Sequence, residues 1–178
     1  MSDVRALDAE EFQQLAADAA SIYGAAMRRS PEVVVQRRDI IATHVTYAGF
    51  VAAGAYVDAG NGGPEMVGFG YGYPGAPGQW WHDIVAEALG RSLARRWLRD
   101  GFELAELHVR PDHQGHGLGR ELLSDVLSRA AAEHAVLSTP DTESPARCLY
   151  RSFGFVDLSV DFRFPGSPEA YAIMGVDL

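Results

Sequence analysis

The chain has 178 residues, of which 47% are hydrophobic, 10% aromatic and 22% charged. That balance excludes wholesale disorder, a disulfide-stapled miniprotein and a fibrous repeat, and the length predicts a single domain over residues 1–178 with a sizeable core. The formal net charge of -9 repels phosphate backbones and anionic lipid surfaces, so general nucleic-acid and membrane-surface binding are disfavoured. All 15 basic residues are arginines scattered along the chain, which reads as codon bias and not as a site. The single Cys148 permits no intramolecular disulfide. The Met1 end has no basic stretch leading into an apolar one, and no apolar run approaches a membrane span, so a cytoplasmic setting is expected.

In chain order, Asp8 and Glu11 have the spacing of a capping box, and Phe12, Leu15, Ala16, Ala19, Ile22, Tyr23, Ala26 and Met27 then recur at helical period. One helix is predicted there. Ser30-Pro31-Glu32 starts a second, carried by Val34, Ile41 and Val45 to about Tyr47. Phe50 to Val57 and Met66 to Tyr73, separated by the Gly/Asn/Pro cluster Asp58 to Pro64, read as a β-hairpin. After the loop Tyr73 to Gly78, Trp81, Ile84, Val85, Ala88, Leu89, Leu93 and Trp97 line one face of a third helix. The pattern then gives a strand over Phe102 to Val109, a helix over Leu118 to Glu133, a short strand over Ala135 to Ser138, and a helix over Pro145 to Phe153 stopped by Gly154. Phe155 to Phe164 and Tyr171 to Val176 close the chain as an antiparallel pair. There is no internal repeat, and the order predicts a mixed α/β sheet.

The stretch richest in chemistry is Glu106 to Leu123. It places glycines at 115, 117 and 119 between a strand and an amphipathic helix. Glycines allow positive φ and close approach of a ligand, while the first amides of the helix lack intrachain partners and attract anions. Arg120 in that first turn opposes the helix dipole unless an anion is bound there. The spacing fits neither the dinucleotide fingerprint nor the P-loop.

What the stretch resembles is the pyrophosphate loop, Gln/Arg-x-x-Gly-x-Gly/Ala, of the Gcn5-related N-acetyltransferase superfamily, here Gln114-Gly115-His116-Gly117-Leu118-Gly119 followed by Arg120. A second block, Ala146-Arg147-Cys148-Leu149-Tyr150-Arg151-Ser152-Phe153-Gly154-Phe155, is similar to the family's Ala-x-x-Leu-Tyr-x-x-x-Gly-Phe. The resemblance covers the whole element order and is motif-specific from Glu106 to Phe155. It implies a single-domain fold with a mixed, mostly antiparallel central sheet flanked by helices, a splayed strand pair at its centre, and acetyl-coenzyme A as acyl donor. By the same resemblance, the backbone of Leu107, His108 and Val109 would pair with the pantetheine arm. Amides of Gln114, Gly115, His116, Gly117, Leu118 and Gly119, with Arg120, would hold the pyrophosphate. Tyr150 would protonate the leaving thiolate, as a phenol can because its pKa near 10 exceeds that of a thiol.

A protonated amine must lose a proton before it attacks a thioester, so a base is needed. The candidates are Glu103, Glu106 and His108. On a regular strand Glu106 and His108 share one face and Glu103 the other, and Glu106 is preferred, acting directly or through water. His113 and His116 match no metal spacing, and no metal is expected. Cys148 lies on a different helix face from Tyr150 and is expected to be a small buried thiol, so direct transfer is favoured over an acyl-enzyme. Two positions depart from the family: Glu143, seven before Tyr150, where relatives often carry Asn, and Ser138, where some place a catalytic Glu.

Tyr71, Tyr73, Trp80, Trp81 and His82 form an aromatic set around a Gly/Pro loop that could hold an apolar or cationic acceptor, although a helix anchoring on the sheet explains Trp97 and one of Trp80 and Trp81. The resemblance implies an N-acetyltransferase whose partner is a small-molecule primary amine, in a chain able to form a homodimer. Peptide N-termini are the second substrate class. A non-catalytic acyl-coenzyme A sensor is the alternative from a different class.

Overall fold

The computed structural model describes residues 2–60 and 62–178, and the chain opens in it on a strand that the sequence reading did not foresee, β1 (Ser2–Leu7). Asp8 then caps α1 (Ala9–Gln14). Its carboxylate accepts from the Glu11 amide at 2.8 Å, and the Glu11 carboxylate accepts from the Asp8 amide at 3.0 Å. The apolar period runs on to Met27 but the helix does not, because Leu15 closes α1 and α2 (Ala16–Met27) begins anew. Ser30 and Pro31 start α3 (Pro31–His44). There follow β2 (Val51–Asp58), β3 (Pro64–Pro74), α4 (Trp80–Trp97), β4 (Gly101–Val109), α5 (Leu118–Arg129), β5 (His134–Pro140), α6 (Pro145–Ser152), β6 (Val156–Phe162) and β7 (Tyr171–Asp177). The turn expected over Asp58 to Pro64 includes Asn61, which lies outside the described residues.

The strands follow the order β1-β2-β3-β4-β5-β7-β6. The pairs β1/β2, β2/β3, β5/β7 and β6/β7 are antiparallel, and β4/β5 is parallel from Gly101↔His134 to Glu103↔Val136. This is the mixed α/β sheet that the element order predicts, mostly antiparallel as the family resemblance implies. Among the described residues no helix is long and apolar enough to cross a membrane.

The chain forms two compact units. The first comprises Met1–Tyr73 with Glu106–Ala130. Its core is aromatic: the Phe12 ring, fully buried, lies 5.6, 5.9 and 5.4 Å from the rings of Phe50, Phe69 and Tyr71. Helix α5 buries Leu118, Leu122, Leu123 and Val126, one stripe at helical spacing. Helices α2 and α3 pack so closely that a Cβ on Gly24 would lie 2.4 Å from Val34 Cγ2.

The second unit comprises Pro74–Ala105 with Ala131–Leu178. Val85, Leu89, Trp97, Leu98, Val136, Phe164 and Ile173 form its core. Helix α4 is broken at Gly90 (φ 71°, ψ 167°), a conformation that only glycine adopts freely. Helix α6 is tied down by an ion-pair network. The buried Arg147 guanidinium contacts Asp141 and, at 2.9 Å, Asp157, while Arg151 reaches Glu143 at 3.0 Å and Asp157 at 3.4 Å. The Asp161 amide donates to Asp141 at 2.7 Å. That hydrogen bond, with the Arg147 charge beside it, holds the Asp141 carboxyl below the usual carboxylate range. Removing the cation takes one partner from each carboxylate while Arg151 still reaches Asp157 and the Asp161 amide still donates to Asp141. Arg147→Leu is expected to lower the urea midpoint at unchanged m-value. A midpoint equal to the parent's would show the network to be energetically idle.

Candidate active site

The strand-to-helix connection after β4 is built by two glycines of positive φ. Gln114 is extended, and its side-chain amide donates to the Val109 carbonyl at 2.9 Å, tying the loop to the strand end. Gly115 (φ 80°) and Gly117 (φ 89°) then turn the chain, and Gly117 is the N-cap of α5. Its carbonyl accepts from the Arg120 and Glu121 amides at 2.9 and 3.1 Å, closing the first turn. No side chain caps this helix. A Cβ on Gly115 would meet nothing within 4 Å, and one on Gly117 only Glu121 Oε1 at 3.9 Å. The glycines are therefore required by φ and not by crowding, and the space over the loop is open. Uncapped amides at a helix N-terminus beneath open space suit the charge and shape of a pyrophosphate, and Arg120 stands exposed in the same turn. His113 Nδ1 lies 3.0 Å from an Asp112 carboxylate oxygen, and His116 Nδ1 lies 3.4 Å from the His113 carbonyl.

In the same unit, β4 brings Glu106 and His108 into direct contact, as i and i+2 residues on one face must be. Glu106 Oε2 lies 2.5 Å from His108 Nε2, and Glu106 Oε1 accepts from Arg37 Nη1 at 2.6 Å. Arg37 comes from α3, and its Nη2 donates to the Tyr23 hydroxyl at 3.2 Å while its guanidinium lies 4.4 Å above the Tyr23 ring. The Glu106 side chain is only 7% exposed. Burial alone would raise its pKa, but the His108 hydrogen bond and the Arg37 charge outweigh that and hold the carboxyl below its ordinary value. Burial pushes the neighbouring His44 imidazole down to about 4, with Glu106 opposing and Arg37 reinforcing the shift. His44 is thus neutral, its Nδ1 3.0 Å from the Tyr71 hydroxyl and its Nε2 3.4 Å from that of Tyr73, so one phenol accepts and the other donates.

Glycines on β3 let β4 come close behind this cluster. A Cβ on Gly68 would lie 3.1 Å from the His108 carbonyl oxygen, and one on Gly70 2.9 Å from Leu107 Cδ1. The Arg110 amide donates to the Val67 carbonyl at 2.8 Å. The backbone of Leu107, His108 and Val109 is in this way held against a side-chain-free strip. Arg37, His44, Tyr23, Gly68 and Gly70 were not singled out from the sequence. The available signal was on α3, where Arg37 and His44 fall on the stripe of Val34 and Ile41.

The second unit carries the remaining candidates. Tyr150, on α6, is 7% exposed, and its ring meets Phe155 at 5.7 Å and 60°. Glu103 is buried at the base of β4. Ser138 is occupied as acceptor for the Trp81 indole N–H at 3.0 Å, and Glu143 pairs with Arg151. Cys148, expected to be buried, is exposed, because the buried face of α6 is taken by Arg147 and Tyr150. The expected aromatic set finds separate roles. Tyr71 and Tyr73 flank His44, Trp81 anchors α4 through Ser138, and the exposed Trp80 stacks on Phe164 at 5.4 Å.

Residues 76–157 match the family model of the acetyltransferase (GNAT) domain. A GCN5-like protein acetyltransferase of Mycobacterium tuberculosis is 43% identical over 118 residues, 62% of this chain and 57% of that protein. The chain thus spans little more than half the length of this relative. Among solved structures, a Desulfovibrio desulfuricans protein assigned to the GNAT family superposes with a TM-score of 0.66 at 18% identity, covering 99% of each chain. The PaiA N-acetyltransferase of Thermoplasma acidophilum, solved with coenzyme A, superposes with a TM-score of 0.61 at 15% identity, covering 100% of this chain and 99% of that one. Residues 76–157 are thus similar to the acetyltransferase (GNAT) domain, and the fold is similar to that of solved structures assigned to that family, in keeping with the glycine loop.

Proposed function

We propose that this chain is an acetyl-coenzyme A-dependent N-acetyltransferase that passes the acetyl group directly to a primary amine of a small molecule. The observation that carries the reading is the uncapped N-terminus of α5 beneath the open, positive-φ loop of Gly115 and Gly117. Bound there, acetyl-coenzyme A supplies an activated thioester. Amides from Gln114 to Gly119, with Arg120, grip the pyrophosphate, and the backbone of Leu107, His108 and Val109 aligns the pantetheine arm. Glu106 carries the base side of the reaction and Tyr150 returns a proton to the departing thiolate. The exposed Cys148 takes no part.

Transfer to an amine of a protein or peptide is the second reading, favoured by the protein-acetyltransferase name of the Mycobacterium tuberculosis relative. Calorimetric titration with coenzyme A, joined to thiol release from acetyl-coenzyme A over a panel of small amines and peptides, tests both. Acceptor-dependent release with small amines is expected. Release with peptides alone would favour the second reading, and tight binding without acceptor-dependent release on any member would leave a sensor module in place of an enzyme.

A further inference from the structure

The partners of Glu106 decide where a proton can go. Arg37 holds Oε1 at 2.6 Å and His108 holds Oε2 at 2.5 Å, so neither carboxylate oxygen faces a substrate unshared. An ionised carboxylate only accepts, so the proton in its contact with His108 sits on Nε2, and in a neutral imidazole the other nitrogen, Nδ1, is then the acceptor. Among the described residues no hydrogen bond to that Nδ1 is made. The ring is clamped edge-on by Tyr23 at 5.2 Å and 83° and tilted against Phe69 at 5.6 Å. His108 is 14% exposed against 7% for Glu106, so the imidazole is the more accessible member of the pair. The other imidazole of the cluster, His44, has both nitrogens taken by Tyr71 and Tyr73.

We propose that His108, oriented through Nε2 by Glu106, takes the proton of the acceptor ammonium at Nδ1, and that Arg37 is the positioning residue that keeps Glu106 in place for it. This rests on the transferase reading above and moves the proton-accepting atom from the carboxylate to its partner. In the step, one N–H bond of the ammonium breaks and the proton passes to Nδ1. The freed nitrogen lone pair forms the bond to the thioester carbonyl carbon as the C–S bond breaks towards sulfur, and the second proton that the acylated nitrogen sheds to become a neutral amide balances the one the departing thiolate takes up. The groups facing His108 and Glu106 are Tyr23 from α2, Arg37 and His44 from α3, and Phe69 from β3, with Tyr71 of β3 beyond them against His44. Glu106 is held ionised by the His108 hydrogen bond and by the Arg37 charge, which suits an orienting carboxylate better than a proton acceptor.

The test is a two-bond ¹⁵N–¹H correlation spectrum of the full chain labelled at histidine, with His108 assigned by its loss in His108→Gln. The neutral Nε2–H tautomer is expected, and Arg37→Gln is expected to mix in the other one while Arg37→Lys largely preserves it. A dominant Nδ1–H tautomer in the parent overturns the proposal. On a confirmed acceptor, His108→Ala should lower kcat roughly 10²–10⁴-fold with coenzyme A affinity unchanged, and added imidazole should restore part of the rate. His108→Gln supplies the same comparison with a side chain that still fills the site. Either variant turning over at the parental rate overturns the proposal. A parent that binds acetyl-coenzyme A and acetylates no amine fails the transferase reading instead, and the tautomer then decides the orientation without turnover.

Discussion

Tyr150→Phe is expected to lower acetyl transfer roughly 10²–10⁴-fold while leaving stability and coenzyme A affinity close to the parent's. The residue has two separable parts. Its ring is buried on α6 against Phe155, and phenylalanine keeps that contact. Its hydroxyl is the group proposed to protonate the thiolate, and phenylalanine removes only that. Because α6 is anchored independently through Arg147, the substitution leaves the placement of the helix alone. Single-turnover rates with a confirmed acceptor, where chemistry limits the signal, are the measurement. A parental rate there would reduce Tyr150 to a packing residue.

The second large effect is expected at the loop. A valine at position 117 must adopt a φ near 89°, which a β-branched residue strongly disfavours, or shift the backbone that caps α5. Either outcome misaligns the amides proposed to grip the pyrophosphate. Gly117→Val should therefore weaken coenzyme A binding by roughly ten- to a hundredfold, equivalent to about 1.4–2.8 kcal/mol, in a protein that remains folded. Calorimetric titration checks it, and unchanged affinity in a folded variant would remove the pyrophosphate assignment. Gly117→Ala, with less bulk at the same φ, should fall between the two.

How much of this was legible beforehand depended on how local the signal was. The helix start at Asp8, the αL turn at Gly117 and the stop at Gly154 are each settled by a few neighbouring residues, and sequence alone placed all three. Strand β1 was not seen, because Asp3 and Arg5 interrupt a short run in which, among the described side chains, only Leu7 is buried, and its pairing with β2 is a contact made some fifty residues away. The break at Leu15 hid inside an unbroken apolar period, and the one in α4 hid at a single glycine that a helical pattern tolerates. At the site, Glu106 and His108 were readable as same-face neighbours on one strand. Their third partner was not, since nothing local says that an arginine on α3 finishes at a glutamate 69 positions on. A charge on an apolar helical stripe was the clue, as it was for His44.

The strip of β3 that carries Gly68 and Gly70 bears on how this protein could be re-engineered. Adding a single methyl group is ordinarily the mildest change a library can contain. Here it would set a carbon 3.1 Å from the His108 carbonyl at one position and 2.9 Å from Leu107 at the other, pushing on the strand that presents both the histidine and the proposed pantetheine contacts. Variation aimed at acceptor scope would therefore do more collateral damage on this strip of the sheet than at positions that already carry side chains. Two residues without side chains set the tolerance of their neighbours to change.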